Sequence, residues 1–424
     1  MYQKLKLKNG LPVILVPKKE SQSVAVYLIY KVGSRNEKDK AIHGASHFIE
    51  HLMFKGTKKR PSTLAISKEL DGIGADFNAY TSKDHTAYHI KANSDNLDLA
   101  CDILADMLNN SLFPAKEIAK EKGVVIEEIK MYEDQPIQYA EILCEELLFK
   151  GSDLEHNIAG TRESISKMTR QQIVNYLNSY YAPANAVLMV VGKYPKNIEN
   201  VLNKYFVQPG FGKKFTDAEL MPVKLKQIEP QILLNYKATN QAHLAMAFPA
   251  YSYFHPDLYA LYLLAIILGG NMSSRLFIDV REKQGLCYYI RSQADIYEDS
   301  GDLMIRSGID ISKLDKALAI IFKDLRAIKA KGITAEELAK AKTFLKGRLT
   351  LQLEELNDLA DFYGREFILA KRILTPEQKI KKIMAVTKSQ VNKVAKDIIQ
   401  KNKLNLVLVS PLKDKKKILK HVKI

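Results

Sequence analysis

The stretch HFIEH, residues 47–51, sets two histidines four apart with a glutamate directly before the second. On a helix, His47 and His51 are separated by about 40° around the axis and by one turn, so both imidazoles leave one face and can reach a common ion. Glu50 falls about 60° from His47 on the other side, close to the same space. Neutral imidazole suits Zn²⁺, which takes about four ligands in structural sites and three protein ligands plus a water in catalytic ones. One more protein ligand is therefore needed. Two ordinary surface histidines are the plain alternative. The full His-x-x-Glu-His pattern, however, arises by accident in on the order of one in a hundred chains of this length.

A second helix presenting a carboxylate is the natural source of the third ligand. The segment PAKEIAKEKGVVIEEIKMYED (114–134) starts with a proline suited to a helix N-terminus and offers Glu117, Glu121, Glu127, Glu128 and Glu133. Projected at about 100° per residue, Ile118, Val125, Ile129 and Tyr132 form one apolar stripe with Glu121 and Glu128 along its edge, while Glu127 points away. A carboxylate at the margin of a buried face has to coordinate or be hydrogen-bonded, because burying it unpaired is costly. This favours Glu128, with Glu121 two turns earlier beside it. His85 and His89 are also four apart, but in a strand-like context, and make a weaker rival pair.

The 424 residues, 46% of them hydrophobic, suffice for a large core and for two or three domains. The formal net charge is +16, but acidic and basic residues are interspersed outside the tail KDKKKILKHVKI (413–424). No nucleic-acid-binding motif accompanies the charge, so it reads as solvated surface, with no nucleic acid as partner. Three widely spaced cysteines, Cys101, Cys144 and Cys287, form neither a disulfide framework nor a cysteine metal site. The longest apolar run, LYALYLLAIIL (258–268), is too short to span a bilayer, and the N-terminus lacks the features of a signal peptide. The expectation is a cytoplasmic protein with no membrane partner.

Strand-like stretches (11–16, 23–32) alternate with helical ones (62–72, 94–109, 114–133), which makes the class α+β. MTRQQIVNYLNSYYAPANAVLMVVG (168–192) is echoed by VTKSQVNKVAKDIIQKNKLNLVLVS (386–410), each a threonine N-cap, an amphipathic helix and an apolar strand. HTAYHIKAN (85–93) is echoed by GDLMIRSGI (301–309) at nearly the same separation. Two similar domains, 1–210 and 223–424, follow, with a linker in QPGFGKKFTDAELMP (208–222).

GASHFIEHLMFKGT (44–57), GADFNAYTSKDHTAY (74–88), EKGVVIEEIKMYEDQP (121–136) and SSRLFIDVREKQGLCYYI (273–290) together resemble the pitrilysin family of inverzincin metallopeptidases, which includes the processing peptidases and whose motif is His-x-x-Glu-His. The resemblance implies two similar α/β-sandwich domains forming one half of a peptidase clamshell. It implies one Zn²⁺ per chain on His47, His51 and Glu128, Glu50 as general base, and Glu121 as a supporting catalytic glutamate. It also implies substrate binding by Arg281 and Tyr288 in the second half, with Tyr288 donating to the developing oxyanion. Peptide addition along the edge strand at Asn78, Ala79 and Thr81 completes the set. For Tyr288 the competing expectation is core packing, since CYYI reads as a buried strand; for Arg281 it is a surface ion pair.

Because both motifs lie in one chain, the resemblance implies a homodimer acting on peptides or unfolded segments, with zinc-dependent endopeptidase activity. A non-catalytic scaffold subunit is the alternative, and Mn²⁺ or Co²⁺ could occupy a similar ligand set.

Overall fold

The computed structural model describes residues 2–207, 220–370 and 372–422; most of the expected linker at 208–222 lies outside them. The fold is α+β, built on two sheets. In the first, β1 (Gln3–Lys6), β2 (Pro12–Pro17), β3 (Ser23–Tyr30), β4 (Asp76–Thr81), β5 (Thr86–Asn93) and β6 (Ala186–Gly192) are ordered β1-β2-β6-β3-β5-β4. In the second, β7 (Gln231–Tyr236), β8 (Gln241–Ala250), β9 (Cys287–Ile296), β10 (Gly301–Asp310) and β11 (Asn405–Ser410) are ordered β7-β11-β8-β10-β9.

Leaving out β1, the two orders are the same, and in each sheet the one parallel pair is the equivalent one, β2 with β6 and β7 with β11. The echoes in the sequence fall on equivalent elements. Thr169 and Thr387 each cap a helix, Arg170–Tyr180 and Lys388–Ile398, through a reciprocal box with Gln172 and Gln390. Those helices lead to β6 and β11, while the second echo is β5 and β10.

Two compact units enclose the sheets: Met1–Ile129 with His156–Leu220 and Thr350–Thr375, and Lys130–Glu155 with Met221–Leu349 and Pro376–Ile424. Relative to a division at 1–210 and 223–424, two helical segments are exchanged. The helix Pro136–Leu148 packs on β8 and β11 of the second sheet, and Leu356–Ala370 packs on β3 and β6 of the first. Simple halving misses this because strands buried on both faces, such as AVLMVVG in β6 and NLVLVS in β11, need a cover on each side without specifying which stretch supplies it. In the second unit Ala140, Cys144, Leu148 and Phe149 join Ala245, Ala247, Val407 and Val409 in one apolar cluster.

In the first unit the HFIEH stretch lies on the helix Ala45–Met53. Phe48, Ile49, Leu52 and Met53 bury one face in the core, leaving His47, Glu50 and His51 on the other. The N-terminus of this helix is set by close backbone approach. Gly44 has φ +91°, and a side chain there would meet the Ala159 carbonyl oxygen at 2.6 Å; one on Gly160 would meet the His43 carbonyl oxygen at 2.2 Å. Glu37, fully buried, accepts the N–H groups of Gly44 (2.6 Å) and Ser46 (2.8 Å), two donors that a helix start leaves without intrahelical partners. The Ser46 hydroxyl also pairs with the Tyr176 hydroxyl at 2.9 Å.

Two expectations follow. Phe149→Ala removes a ring set edge-on to Tyr297, with centroids 5.6 Å apart, and should cost about 3–5 kcal/mol. Hydrogen exchange should then show lost protection in β8 and β11 with β2 and β6 retained; loss centred on the first sheet would contradict the exchange of segments. Burial pushes the Glu37 carboxyl up to about 8, against the lowering effects of the Ser46 and Gly44 hydrogen bonds and of Lys83. The folded state then binds more protons than the unfolded one, so stability should fall as pH rises from the ordinary carboxylate range to about 8. Glu37→Gln should flatten that dependence in urea titrations between pH 5 and 9; parallel curves would contradict it.

Candidate metal centre

Facing the HFIEH helix is the helix Ala115–Asp134. Ile118, Val125 and Ile129 are buried, and Glu127 is exposed on the opposite side, as the helical projection requires. Both helices bury their apolar faces in the same core, which turns His47, His51, Glu121 and Glu128 toward one another.

One ligand atom from each of His47, His51 and Glu128 lies within 4.8 Å of the other two. The Nε2 atoms of the two histidines are 3.3 Å apart, and a Glu128 Oε2 atom lies 3.6 Å from His47 Nε2 and 3.5 Å from His51 Nε2. Tetrahedral bonds of about 2.0–2.1 Å to Zn²⁺ put ligand atoms about 3.3 Å apart. The donor set therefore fits a zinc-sized cation in identity, number and spacing.

Electrostatics at the site suit the same assignment. Burial, and then His51, push His47 down to about 4, so its ring is neutral near pH 7 and available as a ligand. For His51, burial acts downward but the carboxylates of Glu128, Glu50 and Glu121 outweigh it and raise its value. On its far side, His51 Nδ1 is 3.4 Å from Glu121 Oε2, the partner that orients a ligating imidazole from behind. Burial raises the Glu50 carboxyl, with the Thr81 hydrogen bond and His51 acting against it.

The Thr81 hydroxyl donates to Glu50 Oε2 at 2.6 Å, so the side chain read as part of a substrate strand is engaged by the glutamate of the motif. Asn78, Ala79 and Thr81 lie on β4, which ends the first sheet, as expected of an edge strand. Asn78 is exposed, and its side chain accepts the Ala79 N–H at 2.9 Å.

The two histidines of the rival pair have other partners. His85 uses Nδ1 on Asp84 (2.7 Å) and Nε2 on the Tyr80 hydroxyl (3.1 Å), and His89 stacks on Tyr27 with centroids 5.0 Å apart. In the second unit Tyr288 is 77% exposed, against the expectation that CYYI is uniformly buried; Cys287 and Ile290 are the inward residues of the strand. The Arg281 guanidinium lies over the Phe277 and Tyr288 rings, 4.8 and 5.5 Å from their centroids, a stacked arrangement rather than the surface ion pair considered for it.

Sequence reasoning missed two partners. Lys55, four residues after His51, sits 2.9 Å from Glu121; its helical spacing from His51 was the available signal. Glu37 carried none, because a carboxylate seven residues before a helix start is not a recognised capping spacing.

Residues 13–162 match the family model for insulinase, peptidase family M16, and residues 167–345 match that for the peptidase M16 inactive domain. An uncharacterized zinc protease of Bacillus subtilis is 34% identical, over 97% of this chain and 98% of its own length. Among solved structures, a protease from Helicobacter pylori superposes with a TM-score of 0.89 at 24% identity, over 97% of this chain and 99% of that one. A peptidase M16 inactive domain from Pseudomonas fluorescens gives 0.89 at 22%, over 97% and 98%. These structures share the fold. The two family models and the Bacillus relative agree with the resemblance carried by the motifs, and the chain belongs to peptidase family M16, the pitrilysin family.

Proposed function

We propose that the protein is a zinc-dependent endopeptidase that hydrolyses peptide bonds in peptides or unfolded segments. The observation that carries this reading is the convergence of His47, His51 and Glu128 within 4.8 Å, next to a glutamate held by a hydroxyl at 2.6 Å. One Zn²⁺ per chain would be held by those three residues. When bound, it supplies Lewis acidity at the scissile carbonyl and lowers the pKa of the attacking water toward neutrality.

The remaining work belongs to the chain. Glu50, its basicity raised by burial, accepts the proton of the attacking water and delivers it to the leaving amine. Thr81 keeps that carboxylate at one angle. Glu121 holds His51 from behind, so that Nε2 faces the ligand cluster. A substrate peptide adds along β4 at Asn78, Ala79 and Thr81, taking up backbone groups on the free side of an edge strand.

Tyr288 offers an exposed phenol to the developing oxyanion, and Arg281 grips a peptide carbonyl or carboxylate. The same reading includes a homodimer in which these two residues serve the site of the partner subunit, and cytoplasmic residence, in keeping with three free, buried cysteines. No helix among the described residues is long and apolar enough to cross a membrane.

A mixed pool of quenched peptides, offered to wild type, Glu50→Gln and Glu128→Gln with and without chelator, tests the proposal. Wild type should cleave only with metal. Glu50→Gln should keep one zinc per chain and lose about 10²–10⁴ in rate, and Glu128→Gln should lose zinc affinity. A zinc-loaded wild type without activity would favour the non-catalytic role that the inactive-domain match over residues 167–345 leaves open, and a fully active Glu50→Gln would remove Glu50 as the base.

A further inference from the structure

We infer that Lys55 is a positioning residue for the metal centre, acting on it through Glu121; this rests on the ligand assignment proposed above. Lys55 follows the end of the HFIEH helix, and its side chain is only 18% exposed. Its Nζ lies 2.9 Å from Glu121 Oε1, and the Glu121 side chain is 2% exposed. The other oxygen of the same carboxylate, Oε2, is 3.4 Å from His51 Nδ1. One buried carboxylate thus bridges an ammonium and an imidazole.

The bridge has a direction. A carboxylate taken out of water is stable only with a charge or hydrogen bonds to face, and Lys55 supplies the charge on the side away from the ligands. With Oε1 held by Lys55, Oε2 is aimed at His51 Nδ1 and keeps the ring proton on that nitrogen. The lone pair of Nε2 is then directed at His47 and Glu128, where Nε2 makes its 3.3 and 3.5 Å approaches. The arrangement is economical in sequence: Lys55 sits four residues past His51 and so stays near it in space, while Glu121 comes from the other helix. The contact that joins Lys55 to the centre is its ion pair with Glu121, so its effect on metal binding travels through that carboxylate.

The test is zinc affinity, measured on the full chain by competition with a chromophoric chelator for wild type, Lys55→Met, Lys55→Arg, Glu121→Gln and the Lys55→Met/Glu121→Gln double variant. Lys55→Met should weaken zinc binding about 10–100-fold, the usual loss when an outer partner of a ligating histidine is removed. Glu121→Gln should weaken it comparably, the double variant should fall no further than Glu121→Gln alone, and Lys55→Arg should restore most of the affinity. Wild-type affinity in Lys55→Met, or a double variant whose loss is the product of the two single losses, would overturn the inference. If Lys55→Met does not fold, Lys55→Gln enters the same cycle with the same criteria. Wild-type affinity unchanged in His47→Ala and His51→Ala would instead remove the ligand assignment, and this inference with it.

Discussion

Two imidazoles and a carboxylate lie 3.3–3.6 Å apart because the helices bearing them are buried on their other faces in one core. Phe48, Ile49, Leu52 and Met53 from the first, with Ile118, Val125 and Ile129 from the second, belong to a single apolar cluster. Burial of such side chains is worth about 1.5–3 kcal/mol each, enough to hold polar groups together that would otherwise separate into water. Burial favours the neutral form of His47, whereas the carboxylates around His51 raise its value. A divalent cation held there would relieve the remaining conflict between the lone pairs and would couple its binding to the stability of this corner of the fold.

Around that cluster lies a shell of partners, each with one task. Glu37 fixes the start of the HFIEH helix through two backbone N–H groups, and Tyr176 holds Ser46 beside them. Thr81 ties Glu50 to the edge strand, so the end of β4 and the glutamate of the motif are held to one another. Tyr80, its neighbour on β4, points to the opposite face, where it donates to Asp361 on the helix Leu356–Ala370. The exchanged helix from the second half of the sequence therefore supports β4 from behind.

Much of this was legible from residue order. Periodicity located the two site helices and the exposed side of Glu127, and the threonine caps at 169 and 387 marked equivalent elements of two sheets. Less legible was Tyr288: the run CYYI is apolar by composition, but the β9–β10 register shifts where Tyr289 pairs with Gly308 and Cys287 with Ile309, which leaves Tyr288 as the extra residue with its phenol outward. Lys55 was within reach of helical spacing; Glu37 was not, because its carboxylate meets the helix end across a turn of irregular backbone.

Residue order by itself determined the donor types of the candidate site, their spacing on each helix and the two echoed pairs of segments, since these depend on periodicity and on chemistry carried by neighbouring positions. Tertiary structure decided which helix covers which sheet and which groups stand behind the two histidines. Those choices turn on contacts between residues far apart in the chain. The pairing of Lys55 with Glu121, 66 positions later in the sequence, exists only once both helices have buried their apolar faces together.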